Sequence, residues 1–333
     1  MKTIKLCSDS GSDVVVGRGL LALAEEYFDL DRRVFVLTDR EVPSEYVDSI
    51  CLKCTYPVRV SVWPGEDSNS IENYERICQI MIDNSFTERD CIVAIGGERV
   101  LNLGGFVAAT FKGGIDRYCV PTTFVSQLGG GFFGASRVSL NKNQNVLGAV
   151  KDPTRVLVDP ELLKTLKPYQ IANGFAEVLK LALLFDKSLF ELLEKEDLGR
   201  DKVIDRVVAR AIEIKNYIYR NQAEMPEMIE ALQLGEIIAS ALEKTHFSKG
   251  ERIAVGMLPM CGGEVRARLR PMLSKMGLPV VWQYDVEKLF RDALRGIEGE
   301  RVALVRCDEI GKAKFDKLTV PEFHKLIKNV YGG

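Results

Sequence analysis

The rhythm of the first third of the chain most constrains what it can fold into. Apolar stretches of strand length, "RRVFVLTD", "VRVSVWPGE", "DCIVAIGG" and "RYCVPTT", alternate with segments of helical periodicity, "VPSEYVDSICLKC", "SIENYERICQIMIDNS" and "VLNLGGFVAATF". Parallel neighbours need a long crossover between them, usually a helix, so this alternation predicts a parallel sheet covered by helices on both faces. "TRVLVDP" adds one more strand. From Leu162 to about Gln283 the pattern turns almost wholly helical, as in "DKVIDRVVARAIEIKNYIYRN". "RVALVRCDEIGKAKFDKLTV" reads as a hairpin around its DEIG turn, and "PEFHKLIKNVYGG" as a last helix.

The fold class is therefore α/β, with a Rossmann-like parallel-sheet domain over residues 1–160 and an all-helical or mainly helical domain over 161–333. A length of 333 residues is enough for two cores. With 46% hydrophobic and 28% charged residues and a net charge of -2, no polyanion-binding surface is expected, which excludes nucleic acid as a partner. No apolar run reaches the roughly 18 residues of a membrane span, and "MKTIKLCSDSGSD" lacks the apolar centre of a secretion signal. A cytoplasmic protein with no membrane partner is the expectation. Of the eight cysteines, Cys91 and Cys119 fall inside apolar strands, and the lone Cys51-x-x-Cys54 pair reads as structural because no second pair accompanies it. His246 and His324 are the only histidines.

Open parallel sheets bind ligands at the carboxyl ends of their strands. There, "AIGGERVLNLGGF" joins a strand to a helix, and Gly96 and Gly97 would let the backbone approach a phosphate at the helix N-terminus. Glu98 follows at once and competes for the same amides. The run from Pro121 to Pro153 is rich in Gly, Asn and Ser and reads as a long functional segment. "NGFAEVLKLALL" puts Glu177 and Lys180 three apart on an apolar helix, either as a structural ion pair or lining a site; Lys215 is a second inward charge or part of a solvated face. "LQLGEIIASALEKTHFSKGERIAVGM", Leu232 to Met257, reads as an amphipathic helix, a polar break and a second helix. Glu236 and Ser240 share a face at that corner, where metal enzymes often place histidines.

Taken in order, these segments resemble dehydroquinate synthase and its sugar-phosphate cyclase relatives. "GGERVLNLGGFVAATFKGGI" stands where that family has GGGxxGDxxGFxAAxxxRGI, and "VPTTFVSQ", "NVLGA", "LVDPELLKTL", "GFAEVLK", "EIK", "LQLG" and "KGERIAVGM" follow at family spacings. The resemblance implies an NAD- and zinc-dependent cyclisation of a phosphorylated heptulosonate with loss of phosphate, and a homodimer. Glu177 matches the first zinc ligand, while Glu236 and Lys249 stand where the family has its two ligand histidines. Lys180, Lys215 and Asn145 match positions of the family's catalytic site; Asp39, Glu66, Gly96, Gly97, Thr122 and Thr123 match NAD-binding positions. Elsewhere the pattern is broken. Gly129 stands for an Asp, Ala135 for a Lys, Ser139 for an Asn, Gln144 for a Lys, Ile229 and Gly113 for Arg, Gln233 for an Asn and Asn69 for a Lys, while Glu98, Leu101 and Asn102 interrupt the glycine signature.

These losses imply a scaffold without the ancestral cyclisation and without NAD or zinc, serving in binding or assembly or in altered chemistry. Lys180, Lys215 and Lys249 would then suit a small anionic or phosphorylated ligand. Two alternatives stay open. One is a working 3-dehydroquinate synthase or related carbon–oxygen lyase, with NAD and a harder divalent ion such as Mg or Mn on Glu177 and Glu236. The other is a glycerol dehydrogenase-like oxidoreductase.

Overall fold

The structure, a computed structural model, describes residues 1–6, 12–281 and 285–332. The chain divides into two compact units, Met1–Leu166 and Lys167–Gly333.

The first unit is built on a seven-stranded sheet. Its strands are β1 (Lys2–Lys5), β2 (Asp13–Val16), β3 (Arg33–Asp39), β4 (Tyr56–Val62), β5 (Cys91–Gly96) and β6 (Asp116–Pro121), with β9 (Arg155–Val158) entering after a separate hairpin, and the order across the sheet is β1-β2-β9-β6-β5-β3-β4. All neighbours are parallel except β1 and β2. Every residue of β5 is buried, which explains why "CIVAIG" reads as a continuous apolar run instead of an alternating one. Helices α1 (Ser44–Cys51), α2 (Ile71–Asp83), α3 (Glu98–Thr110) and the single turn α4 (Phe124–Gln127) fill the connections. Val47 and Ile50 of α1 join Val34, Val36, Val93 and Ile95 in one apolar cluster.

The Gly-rich run read as a long functional segment holds an antiparallel hairpin, β7 (Ala135–Leu140) with β8 (Asn143–Val150), outside the main sheet. Its outer strand is exposed at most positions, so no apolar alternation marks it. Asn141, at the turn, has φ 53, a left-handed conformation that asparagine tolerates.

The second unit comprises α5 (Pro168–Phe185), α6 (Lys187–Lys195), α7 (Asp201–Arg220), α8 (Pro226–Ala231), α9 (Glu236–Ala241), α10 (Lys249–Met260), α11 (Gly263–Lys275), α12 (Val286–Ala293) and α13 (Val320–Tyr331), with the antiparallel pair β10 (Arg301–Glu309) and β11 (Lys312–Thr319). The hairpin corrects "all-helical" to mainly helical. α5 is the central element, in contact with α6, α7, α10 and both hairpin strands. Its buried run from Gly174 to Leu184 is the physical origin of the apolar stretch in "GFAEVLKLALL", which only Glu177 and Lys180 interrupt. The helix expected from Leu232 begins only at Glu236, after Gly235 at φ 79. Among the described residues no helix is long and apolar enough to cross a membrane.

Candidate functional site

Glu177 and Lys180 lie one turn apart on the buried length of α5. The Lys180 ammonium donates to Glu236 Oε1 at 2.9 Å and stands 3.3 Å from Glu177 Oε2, with 5% of the lysine side chain and 10% of the Glu177 side chain exposed. A buried charge needs a partner, and here one ammonium serves two carboxylates. Burial by itself would raise the Glu177 carboxyl, but Lys180, Lys215 and Lys249 outweigh it and hold the group down at about 2. For Lys180, burial opposes the charge and the two glutamates overcome it, so its ammonium is held above the usual lysine value.

Backbone packing positions the remaining members. Glu236 opens α9 directly after Gly235, and α9 is seated on α10 through a glycine contact: a Cβ on Gly256 would lie 2.1 Å from the Gly235 carbonyl oxygen. Lys249 is the first residue of α10, whose start is fixed by a capping box between Ser248 and Glu251. Asn173 of α5 ties this start down, its Oδ1 accepting from Ser248 Oγ at 2.7 Å and from the Gly250 amide at 2.9 Å. Lys215, on α7, is half-buried and Lys249 is exposed, and both act on Glu177. Ser240, one turn after Glu236, is exposed.

The donor set is a poor match for zinc. A dication placed between Glu177 and Glu236 would share the space with the Lys180 ammonium and feel Lys215 and Lys249 as well. His246 is exposed and packs on Phe247, with ring centroids 4.6 Å apart; His324 pairs with Glu287 at 2.9 Å. Among the described residues, no three His, Cys, Asp or Glu side chains come together to hold a metal ion. Cys51 and Cys54 are half-buried against the apolar cluster, and burial pushes the Cys54 thiol up to about 12.

In the sheet unit, Asp39 ends β3, Gly96 ends β5, and Gly97, Thr122 and Thr123 follow strand ends on the same carboxyl edge. The Asp39 Oδ1 accepts from the turn amides of Glu41 at 2.8 Å and Val42 at 3.2 Å, while burial raises its carboxyl. Thr122 is buried, its amide on the Gly96 carbonyl at 3.0 Å, and Thr123 forms a capping box with Ser126. The side chain of Glu66 lies outside the described residues. Gly97 caps α3, so the first-turn amides are aimed as a phosphate would require. Glu98 adds a carboxylate at this turn, close enough that a Cβ on Gly130 would lie 3.5 Å from Glu98 Oε2. Leu101 fills the volume beside Gly131, which at φ +88 has no room for a Cβ against it. Asn145, with φ 55, belongs to this unit. Its Oδ1 accepts from Asn69 Nδ2 at 3.0 Å and its amide donates to Ser139 Oγ at 3.2 Å, a neutral network among two replaced positions and one retained one.

The family description "3-dehydroquinate synthase N-terminal" matches residues 59–173, and "3-dehydroquinate synthase C-terminal" matches residues 174–295. The 3-dehydroquinate synthase of Clostridium beijerinckii is 31% identical over 318 residues, spanning 88% of this chain and 90% of that protein. The chain belongs to the 3-dehydroquinate synthase family. Solved structures agree on the fold. A 2-deoxy-scyllo-inosose synthase complexed with carbaglucose-6-phosphate, NAD+ and Co2+ superposes with a TM-score of 0.84 at 19% identity, covering 99% of this chain and 100% of the other. A 2-epi-5-epi-valiolone synthase from Streptomyces hygroscopicus subsp. jinggangensis with NAD+ and Zn2+ bound gives 0.81 at 20% identity, covering 98% of each.

Within this member of the 3-dehydroquinate synthase family, the structure brings Glu177, Lys180, Glu236, Lys215 and Lys249 into one electrostatic cluster. Two residues, one in each unit, escaped the sequence reading. Asn173, just before "GFAEVLK", acts through a side-chain cap on a helix 75 residues later in the chain, which local pattern cannot reveal. Arg117 is fully buried in β6 and donates to the carbonyls of Leu101 at 3.0 Å, Lys151 at 3.4 Å and Gly131, and to Ser136 Oγ at 3.2 Å. A charge inside the apolar run "RYCVP" was the available signal.

Proposed function

We propose that this chain keeps the family scaffold, has given up the NAD- and metal-dependent cyclisation, and holds a small phosphorylated or carboxylated ligand through its lysines. The observation that carries this reading is the Lys180 ammonium between Glu177 and Glu236, the two carboxylates that the family resemblance marks for a metal. With Lys215 and Lys249 also acting on Glu177, the cluster favours an anion over a dication. At the strand ends, Glu98 and Leu101 oppose a pyrophosphate at the α3 turn. Lys249 at the solvent side and half-buried Lys215 are the groups that would meet the ligand.

Thermal-shift screening of phosphosugars and carboxylates tests the reading. An anion should raise the melting temperature of the wild type and do so less for Lys215→Ala. If no anion distinguishes the two, the cluster is structural. Elemental analysis after expression in zinc-supplemented medium should find no stoichiometric zinc; one zinc per chain, lost in Glu177→Ala, would overturn the reading.

A second reading, a working 3-dehydroquinate synthase with a rebuilt site, is favoured by the activity named for the Clostridium beijerinckii relative. It requires phosphate release from the phosphorylated heptulosonate above the no-enzyme control, whereas the first reading expects equality with the control. We further propose a homodimer, as the sequence resemblance implies, which sedimentation velocity would test.

A further inference from the structure

The C-terminal ends of α5 and α10 meet at two cysteines that the lysine–glutamate cluster does not use. Cys261 directly follows α10 as its C-cap, Cys307 lies where the β10–β11 register shifts between Arg306 and Glu309, and both are fully buried, reduced thiols. The two residues pair as an isolated parallel bridge, and the Gly262 amide donates to the Cys307 carbonyl at 2.9 Å. Paired backbone segments stand about 4.8 Å apart, inside the roughly 4.4–6.8 Å between Cα atoms that a disulfide spans. Each thiol acts on the ionisation of the other, as neighbouring side chains on paired backbone do. Cys307 Sγ also reaches the carbonyl oxygens of Leu183, in the last turn of α5, at 3.2 Å and of Glu309 at 3.3 Å.

We propose that Cys261 and Cys307 are a dithiol–disulfide couple, a redox modification site that, once oxidised by a hydroperoxide, ties the end of α10 to the β10–β11 hairpin beneath the helices carrying Glu177, Lys180 and Lys249. This stands independently of the anion-binding reading. Cys261 holds the Cys307 thiol down, while Cys307 and burial push the Cys261 thiol up, which assigns the attacking thiolate to Cys307. Arg266, whose Nη2 donates to the Cys261 carbonyl at 2.7 Å, adds positive potential, and Asp308 opposes it. The Cys307 thiolate attacks one peroxide oxygen and breaks the O–O bond, giving a sulfenic acid and hydroxide, which takes up the proton Cys307 had released. The Cys261 sulfur then attacks the sulfenic sulfur and the S–O bond breaks, the expelled hydroxide leaving as water with the Cys261 proton. Two sulfurs give two electrons, and one peroxide becomes two waters. Cys51 and Cys54 are not expected to follow this course: burial raises both thiols, and Cys54 Sγ donates to the Ile50 carbonyl at 3.2 Å.

The test is treatment of the full-length reduced protein with hydrogen peroxide, followed by thiol counting and peptide mapping without reduction. The expected result is a loss of two thiols per chain, a linked peptide containing Cys261 and Cys307, and a melting temperature raised by a few degrees and restored by a thiol reductant. In Cys261→Ser and Cys307→Ser, the linked peptide and the shift should both be absent. A wild-type thiol count that does not fall, or oxidation confined to other cysteines, would overturn the proposal without bearing on the anion screen.

Discussion

Lys180 donates to one carboxylate and lies against a second with almost no contact with water, so removing either carboxylate strands part of a buried charge. Glu177→Ala is expected to cost roughly 3–5 kcal/mol, the usual penalty for breaking one side of a buried pair, measured by urea unfolding. A change under about 1 kcal/mol would mean that the pair behaves like a surface ion pair. The pH dependence follows from the same contact. The folded-state value of Glu177, about 2, lies below its ordinary 4.5, so its contribution is fully present above 4.5 and is lost as the pH falls toward 2. Melting curves across that window should converge for wild type and Glu177→Gln at the acid end. At the sheet's edge, Glu98→Gly should tighten NAD binding in calorimetric titration, because a carboxylate leaves the turn that a pyrophosphate would use. Low-micromolar NAD binding by the wild type would show instead that the turn accommodates the cofactor despite Glu98.

Helix placement here depends on glycines where elements touch. Gly256→Ala would drive a methyl group into the Gly235 carbonyl, and Gly250→Ala would place one 2.4 Å from the Asn173 Cα. Each should destabilise the chain by roughly 1–3 kcal/mol, as overpacking generally does. The Gly256 change should also weaken the effect of Glu177→Ala, because α9 would no longer present Glu236 to Lys180. A double-mutant cycle with additive losses would show that glycine packing and the ion pair are independent. Asn173→Ala removes the acceptor that holds Ser248 and Gly250, so the start of α10, with Lys249, should fray. Faster amide exchange there, with α5 unchanged, is the measurement.

Across the whole molecule, family membership and present chemistry separate. A strain lacking dehydroquinate synthase and carrying only this protein is expected not to grow without aromatic supplements, since positions in both units depart from the family pattern. Growth would place the chain among working synthases and move Glu177 and Glu236 from ion pair to metal ligands. Each unit nevertheless has its own buried core, so changes confined to Lys215 or Glu98 should leave the folded fraction intact while altering binding.

Periodicity determined most of the architecture in advance. The strands β3, β4, β5, β6 and β9 and helices α1, α2 and α3 were legible because burial on both faces or on one stripe writes itself into the order of apolar residues. The four-residue strands β1 and β2 are too short to establish a period, and β8 is too exposed to show an apolar face. The site divides along the same line. The family resemblance marked Glu177, Lys180, Lys215, Glu236 and Lys249 as a set, but whether Glu177 and Lys180 were a bystander pair or part of a site depended on where α9 and α10 lie. Only tertiary packing brings Glu236 within 2.9 Å of Lys180, through the contact of Gly235 with Gly256 and the Asn173 cap. Electrostatic partnership depends on distance in space, and distance along the chain does not carry it.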